Sequence, residues 1–151
     1  MYRHMTRIIP LLAMLLGLGL QTASAHDFEK GDLTIIDPHA FASIGAARAG
    51  AVFVTIRNRG AAGDALTAVE YGGSARAELH THLHENGTMK MRPVEQIDVP
   101  AQGEARLQPG GDHIMLMGLT SALKADNTYD LVLVFRDAGR VPVQFTVVNR
   151  N

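Results

Sequence analysis

From Leu33 to Val148, apolar residues either alternate with polar ones or occur in short β-branched runs, and Gly, Pro, Asn or Asp interrupts them about every ten residues. Alternation with a period of two is typical of β-strands, and no segment carries the period of a long amphipathic helix. The pattern predicts short strands at residues 33–36, 51–57, 66–69, 75–83, 89–93, 104–107, 113–119, 128–136 and 141–148.

Turn-forming residues separate the predicted strands. Asn86-Gly87 is typical of a tight hairpin turn, and Gly110-Gly111 precedes the strand that starts at residue 113. Short strands that follow one another without a crossover helix predict an all-β fold, an antiparallel sandwich or barrel. Because the chain shows no repeat, linker or low-complexity segment, residues 26–151 are expected to form a single domain.

The first 25 residues have the pattern of an export signal. Arg3 and Arg7 give a positive start, an apolar run follows at residues 11–20, and small residues precede a cleavage site after Ala25. The run is too short for a membrane-spanning helix, so cleavage is expected to release a periplasmic protein that begins at His26 and has no stable membrane insertion. No cysteine follows the cleavage site, so no lipid can be attached there.

Charge and cysteine content narrow the possible chemistry. Loss of the two arginines of the signal moves the formal net charge from −1 to −3, which argues against nucleic acid as a partner. The sequence has no cysteine, so any ligands for a soft metal would have to be thioethers and imidazoles. No pattern typical of a nucleophilic triad or a phosphate-binding loop is present, and we expect a binding protein rather than an enzyme.

Histidine and methionine are concentrated in two parts of the chain. After the signal, the four remaining methionines form two Met-x-Met pairs, and four of the six remaining histidines lie near them. Methionines that only fill gaps in a core would be scattered among the strands. Because residues two apart share one face of a strand, three segments can each present donors on one side. These sets are His80, His82 and His84; Met89 and Met91; and His113, Met115 and Met117.

Imidazole and thioether donors together favour copper(I), which accepts a roughly tetrahedral site. Zinc would be expected to recruit cysteine or carboxylate, and calcium would need clustered carboxylates, whereas the acidic residues here are dispersed. The residues therefore indicate a copper(I) site, provided that the fold brings the three donor-bearing faces together.

The sequence around these donors resembles the PCuAC family of periplasmic copper chaperones. The resemblance lies in Glu78-Leu79-His80, in the segment 89–94 and in the segment 109–119, and similarity extends from about residue 33 to residue 148. The family pattern is a histidine, ten residues, a methionine, twenty-one residues and then His-x-Met. The resemblance places it on His80, Met91, His113 and Met115.

This resemblance implies a cupredoxin-like, Greek-key β-sandwich that binds one copper(I) ion and passes it towards the copper centre of a haem-copper (cytochrome c) oxidase. The partner would be a copper-accepting oxidase subunit or another copper chaperone, and a monomer is expected. The sequence departs from the family at His39, where relatives commonly carry tryptophan. It also has a short tail after Val148, without the His- and Met-rich extension of some relatives.

Other interpretations remain open from the sequence. A copper sequestration protein would use the same site, a copper enzyme could hold copper(II) through His26, and a structural sandwich would bind no metal. Met89 and Met117 are expected to serve ordinary packing, with an auxiliary ligand role as the alternative. His82 and His84 are expected on a solvated strand face, with copper(II) binding or a role in transfer as the alternative. The solvated face is also expected to hold Arg76, Glu78, Lys90 and Arg92.

Overall fold

Residues 27–150 are described by a computed structural model, and eleven β-strands make up their regular structure. Among these residues no helix has the length and hydropathy needed to cross a membrane. The strands are β1 (Phe28–Lys30), β2 (Leu33–Phe41), β3 (Ala49–Asn58), β4 (Asp64–Glu70), β5 (Ser74–Glu85), β6 (Thr88–Pro93), β7 (Ile97–Val99), β8 (Gly103–Leu107), β9 (His113–Leu119), β10 (Thr128–Phe135) and β11 (Gly139–Val148).

The strands join into one mixed sheet in the order β6-β5-β9-β3-β2-β11-β10-β4-β7, with β1 beside β2 and β8 beside β3. Pairs such as β3–β9 and β4–β10 connect strands that are far apart in the chain. One cluster of buried apolar side chains draws on both halves of this sheet, as expected of a cupredoxin-like β-sandwich. The order places β5 between β6 and β9, so the three donor-bearing strands are neighbours.

Strand β11 illustrates how the sequence pattern specifies the fold. Val141, Val143, Phe145 and Val147 are buried, and the residues between them are exposed or partly exposed. Burial of a side chain of this size contributes about 1.5–3 kcal/mol relative to exposure, so a shift in register by one residue would lose several such contributions at once. The alternation therefore fixes which face of the strand meets the core.

The all-β sandwich prediction is confirmed, and each of the nine predicted strands is present, most of them extended by one or more residues. Two strands were missed, β1 and β7, because three residues are too few to show a periodic pattern. The prediction of a purely antiparallel arrangement needs one correction, since β2 and β11 pair in parallel. Pro38 lacks an N–H group and Asp37 has a positive φ of 49°, so the register of β2 shifts there and its second half pairs with β11.

Asp64, at the start of β4, ties that strand to the turn between β10 and β11. Its carboxylate accepts backbone N–H bonds from Ala65 (2.7 Å), Asp137 (2.9 Å) and Ala138 (3.0 Å). Burial by itself would raise the pKa of Asp64, but these three donors and the Arg136 guanidinium outweigh it and hold the pKa below its ordinary value. The ionised carboxylate therefore stabilises the fold above its ordinary pKa, and this contribution is lost as the pH falls through the lowered value.

We expect Asp64→Asn to lower the free energy of unfolding by about 1–3 kcal/mol at pH 7, because the amide cannot accept all three N–H bonds. The difference from wild type should shrink in acid, where the wild-type carboxyl group is protonated. Urea unfolding at pH 7 and near pH 3 measures both values, with Asp98→Asn, at an exposed carboxylate, as the control. A difference that is unchanged between the two pH values would contradict this role for Asp64.

Candidate metal centre

The strand register places the histidines and methionines of β5, β6 and β9 on one face of the sheet. His80 is the cross-strand partner of His113, and His82 is the partner of Met91. Met115 lies opposite Glu78, one same-face step from the histidine pair. Because directly opposed residues in antiparallel strands point to the same side, the four positions singled out by the sequence share a face.

The opposite face of β5 and β9 belongs to the core. Leu79, Ile114 and Leu116 are buried there, and they alternate with His80, His113 and Met115 along the two strands. The period of two therefore separates the apolar side chains that hold the sandwich together from the donors on the other side. The donor side chains therefore do not belong to the apolar packing face of these two strands.

His80 and His113 form a buried pair of imidazoles. Only 9% of His80 and 2% of His113 is exposed, and their ring centroids lie 5.9 Å apart. The ring of His82 stacks on His113 at 5.0 Å, and the ring of Phe53 lies 6.5 Å from it. Two adjacent imidazoles that are shielded from water are costly unless their nitrogens are satisfied, so this pair requires a physical explanation.

Hydrogen bonds fix the tautomer of each buried imidazole. Nδ1 of His113 donates to the carbonyl oxygen of Gly111 at 3.0 Å, and Nε2 of His80 donates to the Glu78 carboxylate at 3.0 Å. Since both oxygens can only accept, these ring nitrogens carry the protons in the neutral rings. The remaining nitrogens, Nδ1 of His80 and Nε2 of His113, are buried and have no hydrogen-bond partner among the described residues. Each keeps a free lone pair, which is the form of histidine that binds metals.

The electrostatic environment also favours the neutral form of His113. Burial lowers the pKa of His113 below its ordinary value, and the imidazoles of His82 and His80 lower it further. The hydrogen bond to Gly111 and the Asp112 carboxylate act in the opposite direction without reversing the shift. The lowered pKa therefore favours the neutral form of His113, which accepts a metal ion without first releasing a proton.

Met91 and Met115 lie on either side of the histidine pair. Relative to His80, each occupies the diagonal cross-strand position, Met91 on β6 and Met115 on β9. Diagonal neighbours are separated by about 7–8 Å between backbones, a span within reach of long side chains. Met115 is partly buried, whereas 42% of Met91 is exposed. Within residues 27–150, no group of three or more His, Asp or Glu side chains is arranged to hold a metal ion.

Glu78 and Arg76 make contacts near the histidine pair that the sequence does not predict, since its pattern places both residues on the solvated face. The Glu78 carboxylate accepts a hydrogen bond from Nε2 of His80, and its other oxygen lies 3.4 Å from Nη1 of Arg76. Arg76 in turn approaches the sulfur of Met117 at 3.7 Å. Arg76, Glu78 and His80 follow one another at intervals of two residues, which places all three on one face of β5, and this was the only signal available in the sequence.

The remaining sequence candidates fall in different places. Met89 is 49% exposed, so the expected packing role is wrong for this residue, while Met117 is partly buried beside Arg76. His39 lies on β2, where its ring packs against Phe41 and Phe53 with centroid distances of 6.2 and 5.7 Å. The predicted export signal and His26 lie outside the described residues.

The fold is a cupredoxin-like β-sandwich, and one face of its strands β5, β6 and β9 carries the imidazole and thioether side chains. Residues 33–147, more than half of the chain, match the family described as "Putative lipoprotein LpqE-like", and the chain belongs to this LpqE-like family. The protein named "Putative lipoprotein Lxx21020", from Leifsonia xyli subsp. xyli (strain CTCB07), is 31% identical over 98 residues. That match covers 64% of this chain and 59% of the relative, less than two thirds of its length.

Solved structures with similar folds come from PCuAC domains and a related protein. The apo PCuAC domain from PmoF1 has a TM-score of 0.72 at 22% identity, and the match covers 83% of this chain and 100% of that domain. The Cu(I) form of DR1885 from Deinococcus radiodurans, solved in solution, has a TM-score of 0.64 at 27% identity, with 87% and 86% of the two chains covered. The resemblance to PCuAC proteins thus extends to the fold, within a chain that belongs to the LpqE-like family.

Proposed function

We propose that this protein is an exported copper(I)-binding metallochaperone. It holds one copper(I) ion through His80, Met91, His113 and Met115 and passes the ion towards the copper centre of a haem-copper oxidase. The receiving partner is an oxidase subunit or another copper chaperone. The observation that carries the proposal is the buried imidazole pair, in which each ring keeps one nitrogen without a hydrogen-bond partner.

The donor set suits copper(I) as cargo. Two neutral imidazoles and two thioethers provide four uncharged donors of borderline and soft character, which match the preferences of copper(I). Glu78 and the Gly111 carbonyl hold the two rings in the binding tautomer before the ion arrives. The Cu(I) form of the similarly folded DR1885 supports the choice of metal.

Transfer requires a ligand that a partner can displace. Met91 lies on the edge strand β6 with 42% of its surface exposed, whereas the two histidines are buried. A thioether bond to copper(I) carries no ionic contribution from the ligand, so a partner's donor can replace Met91 first and the inner ligands afterwards. The arrangement favours ligand exchange over permanent retention.

Export is supported by the lipoprotein descriptions of the family and of the Leifsonia relative. The signal pattern of residues 1–25 agrees with export to the periplasm. None of the 151 residues is cysteine, however, so a lipid joined through a cysteine sulfur has no attachment residue in this sequence.

Delivery is tested in a strain that lacks this protein and any redundant copper carrier. Under copper limitation we expect low oxidase activity, restoration by the wild-type protein but not by Met91→Leu, and recovery of all strains when copper is added, because mass action bypasses a chaperone. Normal oxidase with increased copper sensitivity would indicate sequestration instead. An effect of His26→Ala combined with none of Met91→Leu would indicate a copper enzyme. Normal oxidase and normal copper tolerance in the deletion strain would rule out both roles.

A further inference from the structure

We propose that the β5–β6 hairpin carries a second, outer copper(I) site, formed by His84 and Met89, from which the ion moves inwards to the main centre. The inference rests on the proposed function and concerns how the centre is loaded. Three cross-strand pairs define the path: an outer pair of His84 and Met89, a middle pair of His82 and Met91, and an inner pair of His80 and His113.

The register of the hairpin places an imidazole directly opposite a thioether twice in succession. His84 is the partner of Met89, and His82 is the partner of Met91. Directly opposed side chains have Cβ atoms about 4.5–5.5 Å apart, which allows one imidazole nitrogen and one sulfur to reach a common ion. Because copper(I) accepts a small number of soft or borderline donors, the outer pair can hold it weakly.

The two faces of the hairpin are chemically separated. The face opposite the outer and middle pairs carries Leu83 and the hairpin's charged side chains, with Glu85 lying 2.9 Å from Lys90 and 3.6 Å from Arg92. On the donor face, residues 80–84 and 89–93 contribute only histidine, methionine and Pro93. A hairpin whose two faces served only to keep it in water would carry charged side chains on both faces.

Exposure decreases steadily along the proposed path. Met89 is 49% exposed and His84 is exposed, Met91 is 42% exposed and His82 partly buried, and the inner histidines are 9% and 2% exposed. The exposed methionines fill no gap in the core, so packing does not explain them. The ring of His82 stacks on that of His113 at 5.0 Å, which brings the middle pair into contact with the inner pair. A donor is thus available at each step between solvent and the main centre.

Titration of the exported apo protein with copper(I) under reducing conditions tests this path. The methionine methyl signals of residues 89, 91, 115 and 117 and the ring signals of the histidines are followed by NMR. We expect the first equivalent to shift Met91 and Met115, and further copper(I) to shift Met89 together with the ring of His84. If Met89 and His84 do not respond beyond the first equivalent, the outer site does not exist. If Met91 and Met115 also fail to respond, the proposed function fails as well.

Paired variants separate metal binding from a role of this face in protein docking. The double variant His84→Gln and Met89→Leu should lose the second bound copper(I) and load the main centre at least about tenfold more slowly from a copper(I) chelate, with unchanged affinity there. The matched control is Leu83→Gln with Lys90→Leu, the adjacent rung on the reverse face, which should load at the wild-type rate. Unchanged loading by the first variant would overturn the path. So would slower delivery to a partner with normal loading and stoichiometry, which would make this face a docking surface.

Discussion

Replacement of Met91 or Met115 with leucine is expected to lower the affinity for copper(I) by at least about 100-fold, since even partners outside the ligand set change metal affinity by about 10–100-fold. The fold should change little, because leucine conserves volume and the cost of such exchanges is usually below about 1.5 kcal/mol. The donors also lie on the face opposite the core, beside buried residues that remain in place. A large loss of affinity combined with near wild-type stability would mark these thioethers as ligands.

Competition with a chromophoric copper(I) chelator measures the affinity, and X-ray absorption of the copper(I) form reports the sulfur atoms bound to the metal. Met117→Leu is the matched control, because Met117 lies on the same strand and face as Met115 but has its sulfur beside Arg76. We expect it to retain most of the affinity and both sulfur ligands. Equal losses of copper(I) affinity in all three variants would show that any substitution on this face weakens binding, whether or not the methionine is a ligand. A wild-type first shell without sulfur would exclude the proposed ligand set.

The strands were predictable because one buried face imposes a period of two on the sequence. In β11 the buried valines and Phe145 alternate without a break with exposed or partly exposed residues. The predicted strand 141–148 lies within the observed Gly139–Val148. Turn residues set the limits equally well at Asn86 and Gly87, both with positive φ at the hairpin between β5 and β6. Local chemistry therefore determined the strands and their boundaries to within a few residues.

Strand pairing was harder to predict from the sequence, because it depends on contacts between distant segments. The predicted strand 33–36 ended before Asp37-Pro38, since proline usually interrupts a strand, whereas β2 continues through a register shift to Phe41. Its second half pairs in parallel with β11, over a hundred residues later in the chain. No local pattern in either segment specifies that partner.

The candidate site shows the same division. The period of two predicted that His80, His82 and His84 share a face, and that His113 and Met115 do too. It could not predict that β5 and β9 are neighbours with His80 opposite His113. Nor could it assign Glu78 and the Gly111 carbonyl as the groups that orient the two rings, because each hydrogen bond depends on the final backbone geometry. The shared face of these side chains was therefore predictable, whereas their cross-strand pairing and orientation were not.

Copper(I) is expected to raise the stability of an already folded protein by a large amount. The buried core spans both halves of the sheet and does not include the donors, so the apo protein should be fully folded, unlike a zinc finger. Binding to the folded state alone adds about 4 kcal/mol when free copper(I) is about 1,000 times the Kd. For a domain of this size, this corresponds to a rise in Tm of about 10–20 °C. The ion would also give partners to Nδ1 of His80 and Nε2 of His113, which are buried and unpaired among the described residues.

Thermal unfolding followed by circular dichroism, with and without copper(I) under reducing conditions, measures this rise, and His113→Phe separates the metal from the fold. The variant keeps a planar ring beside Phe53 and removes the unpaired Nε2, while the Gly111 carbonyl retains Nδ1 of His82 as a donor at 3.3 Å. Its apo form should therefore remain within about 2 kcal/mol of the wild type, whereas the rise in Tm with copper(I) should nearly vanish. An unfolded apo wild type would show that the metal is structural. An undiminished rise in the variant would place the copper site away from His113.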